Sequence, residues 1–447
     1  MTGAHPRRHN RFTVDRRRFL RLSLTASGAA LAPGLLTGCG APAPGGDGVG
    51  LKIWDLFSGG DGLLMDEMMD TVRGGPDGFT LDRTILEWGP SYYTKLAMAA
   101  AGGRAPDVAV LHLSRMPGYA PGGLLDPFDL ELLAEFGITR EDFPPALWER
   151  AQWEGRLYAV PLDTHPFIVF YDLDVAERAG VLDGAGRLIQ PGSPGAMLET
   201  SAALAEAHGG AGLLFGHVTD PAQNWRIFNA LYAQTGAAFD LPESGPAIDT
   251  DAAVRVVSFL QELFDGRTNP NHLDYFGALA SFTESRGAMI AVGEWELPTL
   301  RSTGIRLGAA PFVNVFGEPA VATDSHSYVL PRQERPDPAR RREAHRYVAA
   351  MLRQSLTWAG AGHLPAYQPV LAEPGYAELD PQSSYTEAGD LAVLDPPAWF
   401  AGSGSLFQDR MSQAIQPALL GRASAEAAVD RMVRECADLL DQPNPVR

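Results

Sequence analysis

Apolar residues in the first part of the chain follow two alternating periodicities, one typical of strands and one typical of helices. Three short apolar runs have the length and composition of strands, and helical spacing follows each of the first two. Strands are predicted at 51–57, 80–86 and 107–113, and helices at 64–72 and 91–101. This alternation indicates an α/β protein with a mainly parallel sheet that carries helices on both faces.

A second group of patterns follows farther along the chain. A strand is predicted at 167–171, and helices are predicted at 225–234, 250–264 and 424–440. Asp249 and Ser424 stand where their side-chain oxygens can cap the last two of these helices. The chain has 447 residues, more than the ~300 at which a single hydrophobic core stops growing. At least two packed units are therefore expected.

Composition excludes two classes of protein. The chain is 45% hydrophobic and 20% charged. Its apolar runs are shorter than the ~18 residues that a membrane-spanning helix needs, which excludes a polytopic membrane protein. The net charge of −18 repels phosphate backbones. Nucleic acid is therefore not an expected partner.

The first 38 residues have the charge and apolarity of a signal peptide. Seven arginines oppose one acid, Asp15, and a weakly apolar run follows at 22–36. Residues 16–21 resemble a twin-arginine export signal, and residues 36–39 resemble a bacterial lipobox, which predicts acylation of Cys39. A disordered basic arm with a chance Leu-Thr-Gly-Cys sequence is the alternative. Residues 39–50, rich in Gly, Ala and Pro, are predicted to form a flexible tether.

The two cysteines leave no internal disulfide if the first is acylated. Only Cys39 and Cys436 are present. Cys436 lies on the apolar face of the last predicted helix, which indicates packing rather than reactivity.

Several stretches of the chain are similar to signature segments of one family. They are Arg-Ala-Pro-Asp-Val at 104–108, Gly-Arg-Leu-Tyr-Ala-Val-Pro-Leu-Asp-Thr-His-Pro at 155–166, Phe-Tyr-Asp at 170–172 and Arg-Gly-Ala-Met-Ile-Ala-Val-Gly-Glu-Trp at 286–295. In this order they resemble the extracellular solute-binding proteins of bacterial sugar ABC transporters, the maltose-binding-protein-like family.

The resemblance implies a periplasmic-binding-protein type II fold. In this fold two lobes, each with a central mainly parallel sheet flanked by helices, are joined by a hinge. Residues 51–162 and 326–365 are expected to form lobe 1, and residues 163–325 and 366–447 are expected to form lobe 2.

The resemblance also implies a function. The protein is expected to capture a neutral mono- or oligosaccharide between the lobes and to deliver it to the permease subunits of an ABC importer. No catalysis, cofactor or metal site is expected. The protein is expected to be a monomer, anchored to the outer face of the cell membrane by a lipid on Cys39.

A sugar site needs aromatic platforms for the ring face and polar groups for the hydroxyls. Candidates come from the resemblance, from loops at the carboxyl ends of strands and from the inferred crossings between lobes. They are Asp61, Trp88, Tyr92, His112, Thr164, His165, Trp225, Trp295, Glu296, Asp324, His326, His363 and Trp399.

Several candidates have a structural alternative. Trp225 falls on a helical core stripe with Phe228 and Tyr232. Asp61 has the position of an N-cap, and Tyr92 can pack against a residue one turn later. The other aromatic candidates can pack, Glu296 can be a solvated acid, and each histidine can be a structural hydrogen-bond donor.

Two other functions stay open. The motifs of zinc proteases, Cys-x-x-Cys sites, serine hydrolases and P-loop enzymes do not occur in the sequence. A pair of glycosidase carboxylates is defined by its spacing in the fold, so a secreted glycan-active enzyme remains an alternative. A receptor of the same fold for a peptide or a polyamine is another.

Overall fold

The computed structural model describes residues 49–75, 78–220 and 222–446. The predicted signal peptide, the predicted acylation site Cys39 and the tether up to residue 48 lie outside the described residues. Within these ranges no helix combines the length and the apolarity that a membrane crossing requires.

Short strands and helices alternate along the described chain. The strands are β1 (Leu51–Asp55), β2 (Leu81–Ile85), β3 (Val108–His112), β4 (Leu125–Asp126), β5 (Gln152–Trp153), β6 (Arg156–Leu157), β7 (Ala159–Pro161), β8 (Asp163–Asp172), β9 (Ala211–Leu214), β10 (Gly287–Gly293), β11 (Leu307–Pro311), β12 (Val321–Asp324), β13 (His326–Pro331), β14 (Leu364–Pro365) and β15 (Ala392–Val393). The α-helices are α1 (Gly60–Gly74), α2 (Pro90–Ala101), α3 (Leu130–Glu135), α4 (Pro145–Arg150), α5 (Leu173–Ala179), α6 (Pro194–His208), α7 (Gln223–Ala233), α8 (Thr250–Leu263), α9 (Tyr275–Thr283), α10 (Leu297–Arg301), α11 (Pro338–Leu352), α12 (Ser355–Gly360), α13 (Pro374–Ala377), α14 (Leu406–Leu419) and α15 (Ala425–Leu440). Short 3-10 helices lie at Leu113–Gly118, Arg140–Asp142, Glu294–Glu296, Gln368–Ala372 and Gln382–Gly389.

The first sheet has the strand order β2-β1-β3-β13-β4, and β7 also pairs with β13. β1 runs parallel to β2 and to β3, so the carboxyl ends of these three strands lie at one edge of the sheet. All five residues of β3 are buried, as expected for a strand covered on both faces. The side chains of this sheet and its helices form one hydrophobic core.

The second sheet is built around β8, which is buried over nine of its ten residues. Its strand order is β15-β12-β8-β10-β9, and β11 and β14 also pair with β8. The start of β8 pairs with β12 and β14, and its end pairs with β10 and β11. A separate hydrophobic core surrounds this sheet.

The expectation of mainly parallel sheets is wrong in detail, because both sheets are mixed. β13 runs antiparallel to β3, β4 and β7, and β8 runs antiparallel to β10, β11, β12 and β14. Parallel neighbours need a crossover connection. The connections from β7 to β8 and from β12 to β13 instead run directly from one sheet to the other. No crossover helix precedes β8 or β13, and these strands lie antiparallel to their neighbours.

Two such direct connections lie side by side. β7 ends at Pro161 and β8 begins at Asp163, while β12 ends at Asp324 and β13 begins at His326. The single residues between them, Leu162 and Ser325, are fully buried. The Leu162 amide donates to the His326 carbonyl over 2.8 Å, which joins the two connections.

The locally predicted elements are confirmed to within a few residues at each end. The Asp249 side chain accepts a hydrogen bond from the Ala252 amide at 2.9 Å, and Ser424 accepts one from Ala427 at 3.2 Å. Both predicted caps are therefore confirmed. Cys436 is fully buried, which confirms the prediction that it packs in the core.

The Asp249 cap predicts a measurable contribution to stability. Asp249→Ala removes the side-chain acceptor at the start of α8 and should lower the free energy of unfolding by ~1 kcal/mol. Urea denaturation followed by circular dichroism measures this loss. Asp251→Ala, in the same first turn but without a capping bond, is the matched control. Equal losses in the two variants would contradict a specific role for the cap.

Candidate functional site

A cavity of about 530 Å³ lies between the two sheets. Its volume falls within the ~300–1,000 Å³ typical of ligand sites. Its lining residues are Leu56, Ser58, Gly59, Asp61, Glu87, Trp88, His112, His165, Thr219, Asp220, Gln223, Arg226, Asp274, Tyr275, Phe276, Trp295, Glu296 and His326. A depression of about 680 Å³ along the outer face of α2 is shallow, and no carboxylate lines it.

One wall of the cavity comes from the carboxyl ends of the parallel strands. Asp61 follows β1, Trp88 follows β2 and His112 ends β3. The three strands run in the same direction, so these residues meet at one edge of the sheet. The loops at 58–61 and 88–93 and the turn at 112–116 all contribute to this wall, as expected for loops at the carboxyl ends of strands.

The other wall comes from the starts of two helices and from the segment after β10. Gln223 and Arg226 lie in the first turn of α7, and Tyr275 and Phe276 begin α9. Trp295 lies in the 3-10 helix that follows β10. Both sheets therefore supply aromatic and polar groups to the same cavity.

Trp295 is held in place by its neighbours. Its indole N–H donates to the Tyr275 hydroxyl at 2.9 Å, and that hydroxyl donates to Glu296. The Arg226 guanidinium lies 5.0 Å from the centre of the Trp295 ring. A Cβ atom on Gly293 would lie 2.1 Å from the indole, so only glycine fits beneath the ring. The indole is thus fixed before any ligand arrives.

Tyr275 and Glu296 form a coupled acid pair at this wall. Burial, followed by the nearby Glu296 carboxylate, raises the pKa of the Tyr275 hydroxyl well above its usual value. Burial also raises the pKa of the Glu296 carboxyl group. The tyrosine therefore stays protonated and donates to Glu296.

The Asp163 carboxylate is the centre of a buried hydrogen-bond cluster under the cavity. One oxygen accepts the His326 backbone amide at 2.8 Å and lies 3.2 Å from Nδ1 of His165. The other lies 2.8 Å from Nδ1 of His326 and accepts the Trp358 indole N–H at 2.7 Å. Nδ1 of His363 lies 3.3 Å from this second oxygen.

Opposing effects set the ionisation of this cluster. Burial disfavours a charged Asp163, but His326 and the hydrogen bond from His165 bring the pKa of Asp163 well below its usual value. Burial disfavours a charged His326 as well, but Asp163 raises the pKa of its imidazole overall. Burial and then the charge of His326 lower the pKa of His165 to about 4. His326 and Asp163 therefore form the ion pair, and His165 is neutral.

The structure brings together seven of the thirteen candidate residues at the cavity. They are Asp61, Trp88, His112, His165, Trp295, Glu296 and His326. The other six lie behind its walls or in the cores: Tyr92, Thr164, Trp225, Asp324, His363 and Trp399.

Two aromatic candidates are buried in the cores, and a third packs against one of the cores. Trp225 is fully buried and donates its indole N–H to Asp395 at 2.7 Å, so it occupies the core stripe that is its structural alternative. Tyr92 is also buried, and its hydroxyl donates to the Val110 carbonyl. Trp399 is partly buried and packs against the second core.

The remaining three candidates make structural contacts. His363 is fully buried and stacks on Trp358, with ring centres 4.2 Å apart. Thr164 is buried within β8. Asp324 accepts the Ser114 amide at 3.0 Å, behind the cavity wall.

The prediction of Asp61 as an N-cap is wrong. The helix α1 begins at Gly60, its cap position is Gly59, and no side-chain capping bond is present there. Asp61 lies in the first helical turn, where a carboxylate interacts favourably with the positive end of the helix dipole. Its side chain is half-buried and lines the cavity.

Sequence reasoning missed Arg226, Tyr275 and Phe276, and also the acids Glu87, Asp220 and Asp274. Arg226 follows Gln223 by three residues at the start of a helix, a polar pair on one face that signals exposure to a cleft. Phe276 is 78% exposed, and an aromatic pair directly after the cap residue Asp274 is a comparable signal. Asp163 was within the family stretch at 155–166, but only its partners in space reveal its role.

Comparison with solved structures shows the fold. The GacH receptor of Streptomyces glaucescens GLA.O superposes with a TM-score of 0.72 at 19% identity, over 88% of this chain and 98% of that chain. Maltose-bound MalE3 of T. maritima superposes with a TM-score of 0.73 at 17% identity, over 87% and 99%. The expected type II fold is confirmed.

Comparison with sequences shows the family. The maltotriose-binding protein of Pyrococcus abyssi (strain GE5 / Orsay) is 21% identical over 244 residues, which are 55% of this chain and 48% of that protein. The chain therefore matches about half the length of this relative. The family profile described as bacterial extracellular solute-binding protein matches residues 85–372, more than half of the chain. The protein is thus a member of the bacterial extracellular solute-binding protein family.

Proposed function

We propose that the protein is the substrate-binding lipoprotein of an ABC importer and that it captures a neutral mono- or oligosaccharide. It delivers this sugar to the membrane permease and catalyses no reaction. The observation that carries the proposal is the cavity between the two sheets, which combines fixed aromatic rings with carboxyl groups. The chain belongs to a family of extracellular solute-binding proteins, in which a cavity of this kind is the expected place for the solute.

The cavity has the groups that a carbohydrate needs. Four aromatic side chains can cover the C–H faces of sugar rings, and five carboxyl groups can bind hydroxyls. The aromatic residues are Trp88, Tyr275, Phe276 and Trp295, and the acids are Asp61, Glu87, Asp220, Asp274 and Glu296. A mixed lining of this kind favours a neutral polyhydroxylated ligand over an anionic one, because the acids repel negative charge.

The ligands of related proteins support an oligosaccharide. The GacH receptor was solved in complex with acarbose, MalE3 with maltose, and the curated relative is a maltotriose-binding protein. These three compounds are therefore the first ligands to test on this chain.

We propose the lobe boundaries that the sequence predicts, 51–162 with 326–365 and 163–325 with 366–447. Two features support them. The first sheet receives β7 and β13, which border the boundaries at 162 and 326. The two hydrophobic cores also divide the chain near these positions.

Polar contacts between the proposed lobes support a hinged closure. The Trp88 indole N–H donates to Ser403 Oγ at 3.0 Å. The Ser403 amide donates to Ser114 Oγ at 3.0 Å, and Ser114 donates from its amide and hydroxyl to Asp324. A sugar that touches both walls adds contacts made only in the closed state, so it shifts the population toward closure.

The proposed cellular location of the protein follows from its family. An extracellular family requires export, which the predicted twin-arginine signal supplies. Acylation of Cys39 anchors the chain beside its permease and raises the local concentration of the receptor. One acyl chain binds a membrane only marginally, so stable anchorage uses more than one.

Sugar binding is tested by thermal shift with maltose, maltotriose and acarbose, followed by calorimetric titration. A ligand at 100 times its dissociation constant should add ~2.7 kcal/mol of stability. Trp295→Ala should weaken binding about 30-fold, equivalent to ~2 kcal/mol, because it removes the fixed platform. Trp153→Ala is the control, since Trp153 is 39% exposed and lies outside the cavity.

Other outcomes of this experiment identify the alternatives. Hydrolysis of the sugar would favour a glycan-active enzyme. A rise in melting temperature with peptides or polyamines, and none with sugars, would support a solute receptor and contradict a sugar as its ligand. Equal affinities of the Trp295 and Trp153 variants would remove Trp295 from the site.

The Asp324 contact predicts a pH dependence of stability. Burial raises the pKa of this carboxyl group from 3.8 to about 6. The folded protein therefore holds a proton that the unfolded chain releases, so this group makes the fold less stable as pH rises from 3.8 to about 6.

Asp324→Asn should remove this pH dependence, because the amide keeps the shape and cannot ionise. Melting temperatures measured between about pH 4 and pH 7 should fall less with rising pH in this variant than in the unmodified protein. Asp441→Asn, at the exposed end of α15, is the control. Parallel melting curves for the two variants would contradict the proposed burial effect.

The anchor is tested by fractionation of cells that express Cys39→Ala. Without the acylated cysteine, the protein should leave the membrane fraction, while the unmodified chain stays there. Cys436→Ala is the matched control, because this thiol is buried in the core. Membrane retention of both variants would rule out Cys39 as the anchor.

A further inference from the structure

Three buried histidines face one another at the floor of the cavity. His112 ends β3, His165 lies in β8 and His326 begins β13. Their ring centres are 4.1 Å apart for His165 and His326, 4.5 Å for His112 and His326, and 5.0 Å for His112 and His165. One ring nitrogen from each lies within 4.8 Å of the other two.

Hydrogen bonds explain how each ring is oriented but not why the three converge. Nδ1 of His112 pairs with the Tyr93 hydroxyl at 2.8 Å, and Nδ1 of His165 and of His326 pairs with Asp163. No hydrogen bond between the three rings is found in the described part of the chain. Nε2 of His165 is buried and has no hydrogen-bond partner among the described residues.

We propose that His112, His165 and His326 bind one divalent transition-metal ion of the zinc type through their Nε2 atoms, with His326 releasing the Nε2 proton that it carries in the ion pair with Asp163. Three histidines with a fourth position left open is an established zinc geometry in proteins. Metal-binding histidines usually donate their other ring N–H to a carboxylate or another acceptor, which fixes the ring and its tautomer. Asp163 has this relation to two of the rings, and the Tyr93 hydroxyl has it to the third.

The distances allow such an ion after a small adjustment. Nitrogens in a tetrahedral zinc site lie about 3.4 Å apart, given a zinc–nitrogen bond of about 2.1 Å. One ring nitrogen from each histidine lies within 4.8 Å of the other two, and rotation about the side-chain bonds brings the Nε2 atoms to the spacing of a zinc site. Imidazole ligands select zinc, copper or nickel rather than magnesium or calcium, which prefer oxygen.

A second group of potential ligands is less accessible from the cavity. Asp163, His326 and His363 also lie close together. The carboxylate of Asp163 already accepts from Nδ1 of His326 at 2.8 Å, and His363 is stacked on Trp358. Neither ring nitrogen of His363 makes a hydrogen bond among the described residues, but His363 and Asp163 lie outside the lining of the cavity, so this group lacks the access to a ligand that the first group has. The first group lines the cavity, so a ligand oxygen or a water can reach the open position.

The site does not depend on the proposed sugar. It rests on the three imidazoles and their partners, and metal binding can be measured without any carbohydrate. Sugar affinity is measured in the presence of a chelator, and metal binding is measured without sugar. The sugar proposal and the metal proposal can therefore fail independently of each other.

The test is a titration of Zn²⁺ and of Co²⁺ into the purified full-length chain, without a histidine tag and after treatment with a chelator. We expect one ion per chain and, for Co²⁺, the strong visible absorption of a four-coordinate ion. His112→Asn and His165→Asn should each weaken binding at least tenfold. Asparagine retains a polar atom near the Nδ1 position and removes Nε2, so the ring partners are disturbed little.

His217→Asn is the matched control, because His217 is a fully buried histidine of the second lobe outside this group. It should bind the metal as the unmodified chain does. Absence of Zn²⁺ and Co²⁺ binding to the unmodified chain would overturn the proposal, whatever the stability of the variants. Equal binding by His112→Asn, His165→Asn and the control would also overturn it, since the ion would then lie elsewhere.

Discussion

The buried Asp163 carboxylate organises the junction between the two sheets. A charge without water is costly unless several donors surround it. Here the donors come from β8, from the start of β13 and from α12, so segments far apart in sequence must meet at one point. His326 supplies both its backbone amide and its ring, and the pair holds the two connections in register. The carboxylate thereby fixes which faces of His165 and His326 are presented to the cavity.

The cavity owes its shape to the ends of regular elements. Parallel strands deliver Asp61, Trp88 and His112 to one edge, and helix starts deliver Arg226 and Tyr275 from the other sheet. These ends are positioned by the two cores, so the side chains need little reorganisation when a ligand enters. Such preorganisation reduces the entropy cost of binding. The indole packed on Gly293 is the clearest case, because glycine there leaves just enough room for the ring.

Much of the fold could be predicted because its signals are local. Strand-like runs and helical spacing located the elements, and Asp249 and Ser424 marked helix starts through a bond to their own first turn. Strand direction could not be predicted in this way, since it depends on which sheet a strand joins. The site was predicted in part: the loops after β1 and β2 were found, but Trp225 was chosen where its neighbour Arg226 faces the cavity. Periodicity locates a helix and its apolar stripe, but it does not say which edge of that stripe meets a cleft.

The sequence by itself determined the fold class, the need for two packed units, the resemblance to solute-binding proteins and the positions of several of the longer helices and strands. Each of these is written in neighbouring residues or in short motifs. Only the tertiary structure decided that His112, His165 and His326 meet, that Asp163 pairs with the last two of them, and that Tyr275 supports Trp295. Such contacts join residues on different elements, and their distances follow from how the two cores pack rather than from any local pattern.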